Sequence, residues 1–328
     1  MKTALITGGL GFIGTNIAIK LLNEKRVNRC ILLDNFGGYI NPTRNNFYDY
    51  RKKRLDLISN KIIERCDTTN FKSVSNVINK YKPVLIYHTA ALPLAKLDNI
   101  NSDEARLGSV DSTINIIDSI DLLQNSKKNY KCERFIYISS SMVYGDFQTN
   151  TVNENSPKNP KDIYGIMKLA GEIVTEGVCK LKKVPFTIIR PSAVYGPTDM
   201  NRRVSQIFIE NAFTNKEIII EGKNEKLDFT FIEDLAKGCV LAGTKNQGIN
   251  QIFNITYGKG QSLYSYVLNL KKLIPNLNYK IKPRDETKPS RGTLSIAKAK
   301  KLLGFKPEFS LKKGIKKYFD FLVKNKIF

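Results

Sequence analysis

Residues 3–14 read Thr-Ala-Leu-Ile-Thr-Gly-Gly-Leu-Gly-Phe-Ile-Gly, and this stretch decides the fold. Residues 3–7 are a short apolar run of strand length. The glycine cluster follows at once, and an amphipathic segment then runs through Ile17, Leu21 and Leu22. Strand, glycine turn and helix in that order is the context a dinucleotide-binding fingerprint requires. Gly8 allows the tight turn, Gly11 lets backbone approach a pyrophosphate, and Gly14 lets helix and strand pack closely. The helix N-terminus, at Phe12, Ile13 and Gly14, then offers free N–H groups and the positive dipole end to phosphates. The spacing is G-x-x-G-x-x-G rather than G-x-G-x-x-G, so placement carries the reading.

Working outward, the next apolar run, 30–33, ends in Asp34, twenty residues after Gly14, with Asn35 beside it. An acid at the end of the second strand accepts hydrogen bonds from an adenosine ribose and repels a 2′-phosphate, which favours NAD over NADP. Residues 35–54 form a polar, aromatic insert too long for a simple connection, which predicts a lid or a contact surface. Alternation then continues. Residues 61–66 read as a strand ending at Asp67-Thr68, and 70–81 as a helix. Residues 83–87 read as a strand ending in His88-Thr89-Ala90-Ala91, 102–126 as a long helix, and 135–138 as a fifth strand. Repeated β-α units predict a doubly wound parallel α/β sheet with helices on both faces and ligands beyond the strands' carboxyl ends.

The fifth strand opens into Ser139-Ser-Ser-Met-Val-Tyr-Gly145, and Tyr164-Gly-Ile-Met-Lys168 follows after a polar loop. Residues i and i+4 share a helix face, so Tyr164 and Lys168 point into one space. An ammonium beside the phenol is expected to lower its pKa, so that Tyr164 can take a hydroxyl proton while a hydride leaves the carbon. Beyond a strand at 186–190, the remainder is mixed: helices near 203–214 and 233–244, strands near 217–220, 229–232 and 252–255, and C-terminal segments at 295–303 and 311–325. The expected division is a dinucleotide-binding domain over 1–190 and a smaller mixed α/β substrate lobe over 191–328, partly interleaved with the first.

Composition narrows the function. The five cysteines (Cys30, Cys66, Cys132, Cys179, Cys239) are scattered and lack C-x-x-C spacing, against a disulfide framework or structural zinc. The single histidine, His88, argues against a His-based metal centre or a Ser-His-Asp triad, so no metal is expected. No run of apolar residues is long enough to span a membrane, and the start carries no cleavable signal pattern, which predicts a cytoplasmic protein. The formal charge of +23 is spread along the chain rather than gathered in one arm. It reads as a solvated surface that attracts phosphorylated substrates, not as a nucleic-acid site.

Taken together, the residues resemble the extended short-chain dehydrogenase/reductases that act on nucleotide sugars, the NAD-dependent epimerase/dehydratase family. The matching elements are TGGLGFIG (7–14), Asp34, Asp67, HTAA (88–91), SSSMVYG (139–145), YGIMK (164–168), RPSAVYGP (190–197), DFTFIEDLAKG (228–238) and SIAKAKKLLGFKP (295–307), in order along nearly the whole chain. The resemblance implies a Rossmann-type fold, bound NAD, a nucleotide-diphosphate sugar as substrate and a homodimer built on the 102–126 and 162–182 helices. It implies Tyr164 as catalytic base, Lys168 as its partner and holder of the nicotinamide ribose, and Ser140 as the hydroxyl that steadies the reacting oxygen, with Ser141 as the alternative. Asp67 and Thr68 correspond to adenine contacts, and Thr89, Ala90, Ala91 and Pro191 to the cofactor groove. Ser141 and Met142 fall on the substrate side. Arg202, Arg203, Lys226, Arg284 and Arg291 are candidate diphosphate ligands.

The resemblance also orders the reactions. Dehydratases and sugar-acid decarboxylases of this family carry an acid just after the Ser/Thr, where this chain has Ser141, Met142 and Val143. That leaves hydride removal to NAD and its return to the opposite face, an epimerase at C4. The alternative is a ketosugar reductase using exogenous NAD(P)H, and a third reading is a non-catalytic NAD(P)-sensing or nucleic-acid-binding protein. The chain departs from the family's usual residues at Ala193 (for Asn), Leu227 (for Arg) and Ser109 (for Asn).

Overall fold

The computed structural model describes residues 2–37, 50–91, 101–201 and 203–325. Arg202 and residues 38–49, most of the insert read as a lid or contact surface, lie outside that set. The chain begins β1 (Thr3–Thr7), α1 (Phe12–Asn23), β2 (Arg29–Asp34), α2 (Arg51–Asp56), β3 (Lys61–Arg65), α3 (Phe71–Tyr81), β4 (Leu85–His88). Then come α4 (Ser102–Arg106), α5 (Ser112–Ser126), β5 (Arg134–Ile138), β6 (Thr151–Val152), α6 (Ile163–Leu181) and β7 (Phe186–Arg190).

The remainder is finer grained. It runs β8 (Val194–Tyr195), α7 (Val204–Phe213), β9 (Ile218–Glu221), β10 (Lys226–Leu227), β11 (Thr230–Phe231), α8 (Ile232–Thr244) and β12 (Gln251–Asn254). After these follow β13 (Gln261–Ser262), α9 (Leu263–Lys271), β14 (Tyr279–Lys282), β15 (Thr293–Leu294), α10 (Ala297–Leu303) and α11 (Leu311–Lys324).

Seven strands form one sheet in the order β12-β7-β5-β4-β1-β2-β3, every pair parallel. A parallel sheet covered on both faces needs strands that are apolar at every position. In β1, Ala4 and Ile6 join the core beneath α1 and α8, while Leu5 joins the opposite core with Val74 and Ile78 of α3 and Ile116 and Ile120 of α5. The chain moves from β1 to β2 and β3 on one side, then crosses back so that β4 pairs with β1 from the other. The crevice of a doubly wound sheet opens at that reversal, beyond the carboxyl ends of β1 and β4.

Three local differences separate the structure from the sequence expectations. The 102–126 helix is interrupted by a single π turn, Leu107–Asp111, where Gly108 presents its carbonyl to the Ser112 hydroxyl at 2.9 Å. Such one-residue insertions occur at functional sites, and Leu107 and Gly108 line the cleft described below. The strand expected over 229–232 is only Thr230–Phe231, because helix α8 begins at Ile232. The strand near 252–255, read with the substrate lobe, is the edge strand β12 of the central sheet, paired with β7. Its side chain Phe253 is fully buried there, a docking decided by burial rather than by chain order. The other late strands make two-stranded pairs, β8 with β11, β9 with β14, β10 with β13 and β15 with β6.

Candidate active site

One cleft of about 1380 Å³ runs over the carboxyl ends of the sheet strands and under the C-terminal elements. Its floor is the turn after β1. Gly8 has φ +62, and a Cβ there would lie 2.9 Å from the Ala90 nitrogen, so β4's Thr89-Ala90 can approach only because the side chain is missing. A Cβ on Gly14 would fall 2.5 Å from the Gly8 carbonyl oxygen, which is the close helix-to-turn packing expected of that position. Gly9, to which the sequence reading gave no role, is equally constrained: its Cβ would meet Leu32 Cα at 2.7 Å. Helix α1 starts at Gly11 with no side-chain cap. The first-turn N–H groups of Phe12, Ile13 and Gly14 are therefore available to an anion.

Asp34 sits at the end of β2 on the cleft wall. One carboxylate oxygen accepts from Leu10 N at 3.1 Å and the other from Phe36 N at 2.9 Å. Each oxygen keeps acceptor capacity for a ribose hydroxyl. Asp67 accepts from the Thr69 N–H and hydroxyl and from the Asn35 amide. These bonds carry its pKa below the usual range against the opposing effect of burial. Asn35, Thr68, Thr89, Ala90, Ala91 and Pro191 line the same cleft. The glycine cradle, the uncapped helix start and the held Asp34 carboxylate together fit an NAD molecule.

His88 is not a ligand here. Buried, it lies between the Thr7 hydroxyl (2.7 Å to Nδ1) and the Ser112 hydroxyl (3.2 Å to Nε2). Burial pushes its pKa down to about 3, so the ring is neutral. Since Ser112 already donates to Gly108 O, its oxygen accepts from the histidine, and the Thr7 hydroxyl donates to the other ring nitrogen. This chain of bonds fixes the ends of β1 and β4 and the π turn to one another.

Ser140, Tyr164 and Lys168 meet at the end of β5. The Ser140 hydroxyl accepts from Met142 N at 3.1 Å and acts to lower the Tyr164 pKa. Ser141 also lines the cleft, and its backbone N–H donates to Pro191 O. Helix α6 begins at Asp162, whose side chain accepts from Gly165 N at 2.7 Å. The cap sets the first turn so that Tyr164 and Lys168 face the cleft one above the other. Lys168, 4% exposed, donates to Ile138 O at 2.8 Å and stands 5.9 Å from the centre of the Tyr164 ring.

The expected lowering of the phenol pKa is corrected by these surroundings. Burial raises Tyr164 above its ordinary value, with the Arg203 guanidinium and the Ser140 hydroxyl pulling downward and Asp162 pushing upward. The side chain keeps some solvent contact, but the phenol sits deep in the cleft, and desolvation outweighs the partners. The ammonium has its own desolvation cost: burial pushes Lys168 down to about 7, opposed by Glu172. The cation that favours the phenolate is therefore Arg203.

Glu172 continues the spacing of Tyr164 and Lys168 by one more turn, a signal present in the sequence and not used. It forms a two-pronged ion pair with Arg190 (2.8 and 2.6 Å), and Arg190 also donates to the Tyr144 hydroxyl and Glu154 O. Ser139 donates to the same carboxylate at 2.5 Å. Arg190 is fully buried and the strand ends of β5 and β7 are locked together through it. Two other motif acids are also structural. Asp228 accepts from Thr256, Gly258 and Leu294, and Asp234 from the N–H groups of Glu308 and Phe309.

The candidate diphosphate ligands divide. Arg203 and Arg291 line the cleft, and the buried Nε of each has no hydrogen-bond partner among the described residues. Arg291 lies against the Met142 sulfur at 3.7 Å, and burial pushes its pKa down to about 10. Lys226 is exposed on β10, and Arg284 is held by Glu225, Glu286 and Lys288 O. Neither is among the residues that line the cleft. Ala193 on the cleft wall adopts φ +38, a left-handed conformation that asparagine tolerates better than alanine. Among the described residues no group of three His, Cys, Asp or Glu side chains could hold a metal, and no helix is long and apolar enough to cross a membrane.

Residues 4–256 match the model of the NAD dependent epimerase/dehydratase family. The chain is 31% identical over 339 residues to a putative UDP-glucose 4-epimerase of Methanocaldococcus jannaschii, covering 98% of each. It is 26% identical to the dTDP-D-glucose 4,6-dehydratase of Mus musculus, over 99% of this chain and 89% of the other. Among solved structures it resembles UDP-glucuronic acid 4-epimerase from Bacillus cereus in complex with UDP-glucuronic acid and NAD. The TM-score there is 0.85 at 25% identity, over 98% and 99% of the two chains. With its glycine cradle, Asp34 and the Ser140, Tyr164, Lys168 cluster in one cleft, the chain belongs to the NAD-dependent epimerase/dehydratase family and is an enzyme that uses NAD.

Proposed function

We propose that this enzyme is a nucleotide-sugar 4-epimerase acting on a UDP-linked sugar. The observation that carries the proposal is the Ser140–Tyr164–Lys168 cluster beside the glycine turn, with Ser141 and Met142 rather than a carboxylate next to Ser140. Asp162, the carboxylate nearest in the chain to Tyr164, is committed to the helix cap. Bound NAD supplies the hydride acceptor and donor. Ser140 orients the reacting hydroxyl, Tyr164 takes its proton as the carbonyl forms and returns it afterwards, and Lys168 positions the ribose next to them. Arg203 and Arg291 hold the diphosphate, which leaves the keto sugar free to present its other face. The names of the relatives, UDP-glucose and UDP-glucuronic acid 4-epimerases, support a UDP sugar.

Incubating the purified enzyme with UDP-glucose or UDP-glucuronic acid and no added coenzyme tests this reading. Interconversion to the C4 epimer is expected. Stoichiometric consumption of NAD(P)H on a keto sugar would instead establish the reductase. Tyr164→Phe should keep NAD binding and lose about 10²–10⁴ of the rate. Full activity in that variant rules out Tyr164 as the base.

A homodimer is part of the proposal. On α6, Ile166 (44% exposed), Ile173 (67%) and Leu181 (83%) follow helical spacing along one side, and Leu122 of the adjacent α5 is 53% exposed. An apolar stripe on two neighbouring helices is suited to pairing with a second copy of itself. Five free, buried cysteines fit a reducing cytoplasm.

A further inference from the structure

Arg54 lies on α2, inside the region read from sequence only as a lid or contact surface. It is 3% exposed. One terminal nitrogen donates to Leu10 O at 2.7 Å, in the glycine turn, and the other donates to Thr198 O, also at 2.7 Å. Leu10 belongs to the cofactor floor. Thr198 begins the turn that places Met200, Asn201 and Arg203 on the substrate side of the cleft.

That turn is not at rest in its local preferences. Thr198 is a non-glycine residue at φ +71, a conformation that persists only where surroundings hold it. The next residue, Asp199, is fully buried and accepts from Asn201 N at 3.1 Å; burial raises its pKa, and Arg203 and Arg54 pull the other way without overcoming it. The other side of α2 is anchored to the C-terminal helix. The Tyr50 and Phe321 rings are 5.9 Å apart, and Lys53 lies 5.2 Å from the Phe321 ring centre. A planar fork reaching two carbonyls in different segments transmits a shift of either one to the other, which a point charge on a flexible stem does poorly.

We infer that Arg54 is a positioning residue that makes the substrate-side turn at Thr198 and the cofactor turn at Leu10 move as one, so that NAD and the nucleotide favour each other's binding. The inference rests on the cleft taking a nucleotide sugar beside NAD. Arg54 itself lines the cleft but is not one of the Ser140, Tyr164 and Lys168 cluster.

The test is calorimetric titration of NAD into the full-length enzyme stripped of bound NAD, with and without saturating UDP as the probe. Wild type should bind NAD at least about fivefold tighter with UDP present, and by linkage UDP tighter with NAD. Arg54→Met and Arg54→Lys should bring that ratio close to one while both ligands still bind. A lower melting temperature with the ratio intact shows a merely structural role and overturns the inference. If Arg54→Met does not fold, Arg54→Lys, which keeps the charge and loses the fork, carries the test. A wild-type ratio of one overturns it without any variant. Absence of UDP binding overturns the nucleotide-sugar reading, and with it this inference; binding of both ligands without coupling overturns this inference alone.

Discussion

Glu172→Gln is the substitution with the largest effect for the smallest change in shape. The carboxylate accepts two bonds from a fully buried guanidinium and one from Ser139. Glutamine presents one carbonyl oxygen and one NH₂, so a donor must face Arg190 or Ser139, and the buried cation loses its counter-charge. Breaking such a pair costs about 3–5 kcal/mol. With an unfolding entropy of about 2.1 cal/mol/K per residue, a chain of 328 residues should melt roughly 4–7 °C lower. Calorimetry of the NAD-free protein measures this, and a cycle with Arg190→Met isolates the pair term. A second readout separates the site from the scaffold. Glu172 supports the Lys168 ammonium, so its neutralisation should move the Lys168 titration below its value of about 7, followed by NMR in protein labelled at the lysine side chains. A melting shift under about 1 kcal/mol equivalent, or an unmoved Lys168 titration, refutes the reasoning.

His88 should make stability fall in acid. Its folded pKa of about 3 lies below the ordinary 6.5, so its contribution is complete above pH 6.5 and is lost as pH falls toward 3. The slope is about 1.4 kcal/mol per pH unit, and His88→Gln should flatten that part of the pH–stability curve; parallel curves for the two proteins contradict it. Gly14→Ala places a methyl 2.5 Å from Gly8 O, and displacing that turn should weaken NAD binding about tenfold or more at a stability cost of about 1–3 kcal/mol. An unchanged NAD affinity argues against the cradle. Ile173→Glu, at an exposed position, should convert the proposed dimer to a folded monomer by light scattering; a wild-type monomer overturns the dimer, and a dimer that survives the substitution places the interface elsewhere.

The sequence by itself determined what depends on short chain separations. The glycine spacing after a strand demanded the turn at Gly8, the repeated β-α alternation predicted a parallel sheet covered on both faces, and the i, i+4 spacing put Tyr164 and Lys168 on one helical face. Backbone sterics and helical periodicity act over a few residues, so they are written locally. The place of Asp34 at the end of the second strand was legible in the same way, and the resemblance of ordered motifs extended the reading to Ser140. Only the tertiary structure decided the electrostatics and the partners. It set the Tyr164 pKa upward rather than downward, because burial outweighs the pull of the distant Arg203. It put β12 on the edge of the central sheet, left Lys226 and Arg284 off the cleft, and laid Arg54 between Leu10 and Thr198. Desolvation and contacts between remote segments arise from packing the whole chain, and no local pattern of residues encodes them.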